Sequence, residues 1–159
     1  MKVDRAEQLL ADLVDSSAAP TIIELVSRGG WEETLHVSGS SSTIAFLIVG
    51  LEGTVAEVDW MRDQLLSEWR ERRVAGATVI GEDAAPAVWT RLVEFPDEAE
   101  CPLVLNANVL PSATTRMMAA FHEIDSECVL QAHAGNGIVI ARFAEFPAAG
   151  LSRVLVGSL

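Results

Sequence analysis

The residues best suited to chemistry lie in Gln131-Ala132-His133-Ala134-Gly135-Asn136-Gly137-Ile138, where an imidazole, an amide and two glycines sit together. An imidazole with a pKa near neutrality can take or give a proton at physiological pH, which makes His133 the candidate acid–base group. Gly135-Asn136-Gly137 tolerates positive φ at little cost, and apolar runs flank it, Cys128-Val129-Leu130 before and Ile138-Val139-Ile140-Ala141 after. This pattern predicts a tight turn between two buried strands, with His133 at the end of the first and exposed turn N–H groups beside it. A single histidine on an apolar strand is more often a hydrogen-bonded core residue than a ligand, so spacing alone leaves both readings open. Asn136 likewise serves either the turn's positive φ or a substrate contact.

The elements that must hold this turn can be read along the chain. Residues 4–14 place Leu9, Leu10, Leu13 and Val14 at helical spacing. Pro20 then opens a second short helical pattern through Ile22, Ile23, Leu25 and Val26, stopped by Gly29-Gly30. With the flexible loop expected at Gly39-Ser40-Ser41-Ser42, residues 1–42 read as a helical lead-in. Thr43 to Leu51 is apolar and β-branched, a strand expected to be buried on both faces or nearly so. Thr54 and Glu57 form a capping box for a helix with Val58, Leu65 and Trp69 on its inner stripe, and Gly76 is placed to end it. Ala77 to Ile80 reads as a second strand, completing a βαβ unit.

A short helix with Trp89 follows and ends at Pro96, before an acidic loop over 97–100. Leu103 to Leu110 alternates as a third strand, and Ser112 is placed to cap a helix with Met117, Phe121 and Ile124 inside. The strand pair around His133 comes next, then a last helical segment from Pro147. The order predicts an α+β fold over 43–159, a ferredoxin-like split βαβ plait with an antiparallel sheet and its helices packed on one face.

Composition narrows the function classes. In 159 residues, half of them apolar, one sizeable core can be buried. A net charge of -12 argues against nucleic-acid binding and against attachment to an anionic membrane, both of which need basic patches. The apolar run Ile44 to Val49 is far short of a membrane span, and no secretory signal is read at the N-terminus. Two cysteines without metal-type spacing imply no disulfide framework, and a reducing cytoplasm is the expected location. His36 and His122 sit among polar neighbours and are expected to be solvated.

Four stretches taken in order carry a resemblance: LEGTVAEVDWMRDQL, AVWTRLVEFP, LNANVLPS and AHAGNGIVIARF. Together they resemble the C-terminal domain of the FAD-linked oxidases, in particular the FAD-binding subunit of glycolate oxidase, over roughly residues 5–159. The resemblance implies a ferredoxin-like cap over a flavin, in an enzyme that oxidises small 2-hydroxy acids such as glycolate. It implies His133 as the catalytic residue, Asn136, Arg91, Asn106 and Arg142 on the substrate side, and Trp89, Gly135 and Gly137 toward the cofactor, while the residues alone equally allow Trp89 as the apolar anchor of its helix and Arg142 as an exposed edge residue. Nothing here resembles the family's pyrophosphate-binding loop. FAD is therefore expected to be held mainly by a domain not present in this chain, and the chain to be inactive alone, with that domain or other oxidase subunits as partners.

Three positions depart from the family pattern. Metal-using relatives carry a second histidine seven residues after the first, where Ile140 stands, so no metal is expected. The arginine often found three residues after the tryptophan is replaced by Leu92, with Arg91 one position early. Asn106 stands where a basic residue is common. The runner-up reading is a stand-alone ferredoxin-like module for small-ligand binding or dimerisation, without catalysis.

Overall fold

A computed structural model of the chain describes residues 3–37, 45–74, 76–97 and 101–156. The elements run α1 (Val3–Val14), β1 (Ile22–Ser27), α2 (Trp31–Thr34), β2 (Ala45–Gly50), α3 (Val55–Glu71), α4 (Ala85–Glu94), β3 (Leu103–Asn108), α5 (Thr114–Ile124), β4 (Val129–His133), β5 (Ile138–Phe143) and α6 (Ala148–Val156). The five strands form one sheet in the order β2-β1-β4-β5-β3, and every adjacent pair is antiparallel. The fold is α+β and ferredoxin-like. Its split βαβ unit is β3–α5–β4, with β5 filling the slot between two strands that run the same way. Among the described residues no helix is long and apolar enough to cross a membrane.

Alternation along the strands sorts side chains onto two faces. One face carries Leu25, Leu130, Ala132, Val139, Ala141 and Phe143, which pack with Met118 and Phe121 of α5 and Ala6 of α1. Phe121 meets Phe143 edge to face, with ring centroids 6.4 Å apart. Leu65 of α3 and Leu13 of α1 extend the same layer over β2, so both main helices lie on one face, as the pattern predicts. The opposite face, with Val26 and Ile140, is covered by Trp31, by Val88 and Leu92 of α4, and by Phe95 just beyond it.

The capping box of α3 forms as read: the Thr54 side chain accepts from the Glu57 N–H, and the Glu57 carboxylate accepts from the Thr54 N–H at 2.8 Å. β3 alternates between half-buried and exposed from Leu103 to Asn108, as a sheet edge with one covered face requires.

Several expectations need correction. Ile22–Ser27 is a strand, not a helix, and it lies inside the sheet between β2 and β4. Four β-branched or apolar residues in a run of six, Ile22, Ile23, Leu25 and Val26, satisfy helical and extended spacing almost equally, and the two neighbouring strands decided between them. Of the expected lead-in over 1–42, the described residues 3–37 belong to the main fold, since Ala6, Leu9, Leu13, Leu25, Val26 and Trp31 are all core. Ala77 to Ile80 forms no strand and is largely exposed, so the expected βαβ unit does not form there. A four-residue run has too little to gain without a neighbour, and β2 is paired with β1 instead. β2 itself is an edge strand and only partly buried.

Helix ends also differ. α3 closes at Glu71, with Arg73 at φ 55 taking the left-handed position expected of Gly76. Ser112 lies in a 3-10 turn, and α5 starts from Ala113 without a side-chain cap. The loop expected at 39–42 and positions 98–100 of the acidic loop lie outside the described residues.

Ala134 to Gly137 forms the predicted turn between β4 and β5. Gly137, not Asn136, takes the positive φ, at 74°. A Cβ there would lie 2.0 Å from the carbonyl oxygen of Val109, whereas one on Gly135 would meet nothing within 4 Å. Gly137→Ala should therefore lower the unfolding free energy by roughly 2 kcal/mol or more, the sum of a left-handed non-glycine residue and a backbone clash. Gly135→Ala should stay within about 0.5 kcal/mol of wild type. Urea denaturation of both variants measures the difference, and equal midpoints would contradict this account of the turn.

Candidate functional site

His133 ends β4 and stands directly opposite Glu24 of β1 in the antiparallel register. Its Nδ1 lies 2.6 Å from Glu24 Oε1. The other carboxylate oxygen, Oε2, accepts from Gln131 Nε2 at 3.1 Å. Gln131 and His133 are two residues apart on one strand and so face the same way, which lets both reach a single carboxylate on the neighbouring strand. The burial is graded. Gln131 is 0% exposed and Glu24 5%, while the His133 side chain keeps 36% of its surface.

A charged carboxylate facing Nδ1 places the ring proton on that nitrogen, which leaves the Nε2 lone pair as the basic site. The same carboxylate stabilises the imidazolium formed when Nε2 takes a proton. Burial pushes the Glu24 carboxyl above its ordinary value of 4.5, against the opposing pull of the His133 hydrogen bond and charge and of the Gln131 amide. Desolvation prevails at Glu24, and its partners reduce the cost of its charged form.

A cleft of about 330 Å³ opens at this end of the sheet, lined by Pro20 to Glu24 on one side and by His133, Gly135 and Asn136 on the other. Three of the expected site residues thus converge: His133, Asn136 and Gly135. The turn's N–H groups are less available than the sequence suggested. Those of Asn136 and Gly137 both donate to the His133 carbonyl, at 3.0 and 2.9 Å, and that of Ala134 to the Ile23 carbonyl at 2.8 Å.

The other expected residues serve the fold. Arg91 donates to the Gly29 carbonyl, to the Gly30 carbonyl at 3.0 Å and to Thr34 Oγ1, and its guanidinium lies 4.5 Å from the centre of the Trp31 ring. It clamps the turn between β1 and α2. Arg142 is buried, donates to the Phe95 carbonyl at 3.1 Å and stacks over the Phe95 ring at 5.1 Å, tying the end of α4 to the sheet. Asn106 is exposed on the edge strand β3, in the register row of Gln131 and Ile140 but two strands from β4.

The residues assigned to the cofactor do not make a cradle for FAD. The Trp89 ring fills the space over Gly50, where a Cβ would lie 2.7 Å from Cη2, and Gly137 is packed against Val109. Only Gly135 faces the cleft. Among the described residues no group of three or more His, Cys, Asp or Glu side chains could hold a metal ion.

Sequence reasoning missed Glu24 and Gln131. A signal was present: a lone acid inside Ile22-Ile23-Glu24-Leu25-Val26 must find a partner if the run is a buried strand. Read as a short helix, the run imposes no such partner on Glu24. His122, expected in solvent, is half-buried, with Nε2 3.5 Å from the buried Ser27 hydroxyl, and burial lowers its pKa. Cys128 is buried and its thiol is pushed up to about 12, mainly by desolvation, so it is no nucleophile.

No protein-family model matches the chain, and no curated protein matches it either. The likeness to the FAD-linked oxidases stands on the four sequence landmarks.

The raised Glu24 pKa sets a sign for the pH dependence of stability. Its folded-state pKa exceeds the unfolded value, so the stability it contributes is fully present below 4.5 and is lost as pH rises through the folded value. Glu24→Gln lacks this titration. Wild type should lose stability relative to that variant over the range that starts at the ordinary value of 4.5 and runs upward through the raised folded value, read from paired urea midpoints. A gap that widens in wild type's favour over that range would refute the assignment.

Proposed function

We propose that this chain is the substrate-facing cap domain of an FAD-linked oxidoreductase acting on a small 2-hydroxy acid such as glycolate, with FAD held by another domain or subunit. The observation that carries this reading is the Glu24–His133 pair at the mouth of the cleft. It supplies what oxidation of a hydroxy acid requires of the protein, an oriented base for the hydroxyl proton and a buried carboxylate to stabilise the resulting imidazolium. The four landmarks, which end in the His133 turn itself, supply the substrate class.

In this reading the substrate hydroxyl approaches His133 Nε2, with Thr21 and Asn136 on the cleft wall as further hydrogen-bonding groups. Among the described residues no Lys or Arg lines the cleft, so in this reading the substrate carboxylate is gripped from the partner's side. Because the Trp89 ring and Gly137 are taken up by packing within the fold, no flavin step is assigned to the residues of this chain.

The same lack of a lining cation favours a second reading, a module that binds a small neutral hydroxyl compound without catalysis. Calorimetry on the chain alone separates the two. Binding of a neutral diol, with no partner present, supports the module. Absence of binding to glycolate or diol until a flavin-bearing partner is added supports the cap.

In the reconstituted complex, glycolate should reduce the flavin, and His133→Gln should slow that reduction by about 10²-fold or more, the usual scale for removing a general base. Complex formation should be unaffected. Flavin reduction at the wild-type rate in His133→Gln would remove the acid–base role.

A further inference from the structure

We infer that Gln131 is a positioning residue for the acid–base histidine, acting through Glu24 to fix which imidazole nitrogen faces the cleft. The inference rests on the reading of His133 as the acid–base group.

Gln131 is an unexpected residue for its place. It is fully buried on β4, paired in register with Val26 on one side and Ile140 on the other, both in the apolar core of that face. Its Oε1 has no hydrogen-bond partner among the described residues. An aliphatic side chain there would bring no unsatisfied polar atom of its own, so the amide is a net burden to the core unless its other end does something.

That other end is Nε2, which donates to Glu24 Oε2. A carboxylate held only at Oε1 by His133 could rotate about its last torsion, which is broad and weakly restrained. Held at both oxygens, by residues two apart on one strand, its plane is set and Oε1 stays aimed at Nδ1. The amide also fixes the polarity of the chain. Turned over, it would bring Oε1 against the carboxylate, a contact between two acceptors. The direction that remains runs from the Gln131 N–H to Glu24, and from the His133 Nδ1–H to Glu24. Nε2 is then the unprotonated nitrogen on the cleft side.

Long-range ¹⁵N–¹H spectra of the chain alone read the tautomer of His133 directly, with no substrate, flavin or partner involved. Wild type near neutral pH should show the Nδ1–H form in at least about tenfold excess, the scale that a charge-assisted hydrogen bond supplies. Gln131→Met, which keeps the volume and removes the donor, should reduce that excess at least about threefold while its amide spectrum stays folded. A wild-type spectrum dominated by the Nε2–H form overturns the inference whether or not the variant folds. An unchanged ratio in folded Gln131→Met overturns it as well. Failure of glycolate to reduce flavin in the complex would instead strike the functional reading and leave the tautomer result standing.

Discussion

A carboxylate taken out of water and shared between two adjacent strands is the constraint on which this site depends. Glu24 is almost fully buried on β1, and its two oxygens are met by Gln131 and His133 of β4. An unpaired charge in that position would be strongly destabilising, so the pairing is effectively obligatory. A one-residue slip of β1 against β4 would turn Glu24 to the opposite face, among Leu130 and Ala132. The polar trio therefore acts on register, and the same contacts orient the imidazole.

The rest of the architecture keeps that trio at the edge of the core. On one side the register row continues into Val26 and Ile140 under α4. On the other the strands end, and the turn through Gly137 closes tightly enough that the Val109 N–H donates to the Gly137 carbonyl at 2.8 Å. The two arginines that a reader of the sequence would send to an anion are instead used to fasten α2 and α4 to the sheet. Their cation–π contacts with Trp31 and Phe95 have no counterpart in local sequence, since each joins residues tens of positions apart. The result is a cleft with a histidine–carboxylate pair and, among the described residues, no lining cation, which is the arrangement on which the proposed cap reading rests.

Much of the fold was legible where local physics suffices. The capping box at Thr54 and Glu57, the alternation of β3 and the turn after His133 all follow from residue types a few positions apart. Where the reading failed, the deciding interaction was distant. Ile22–Ser27 became a strand because β2 and β4 flank it, and Ala77 to Ile80 did not because nothing pairs with it. At the site, His133, Asn136 and Gly135 were legible from the turn. Glu24 was not, because its partner is more than a hundred residues away in the chain.

The sequence by itself determined an acidic α+β chain with enough apolar residues for one core, a glycine-bearing turn and a histidine at its entrance. Those features depend on composition and on neighbours within a helical turn or a hairpin, so they need no knowledge of the whole. Tertiary structure alone decided that the histidine has a carboxylate beside it, that the carboxylate is buried, and that the arginines are occupied elsewhere. Strand pairing and helix docking bring those groups together across long loops, and burial then decides how much each charge weighs.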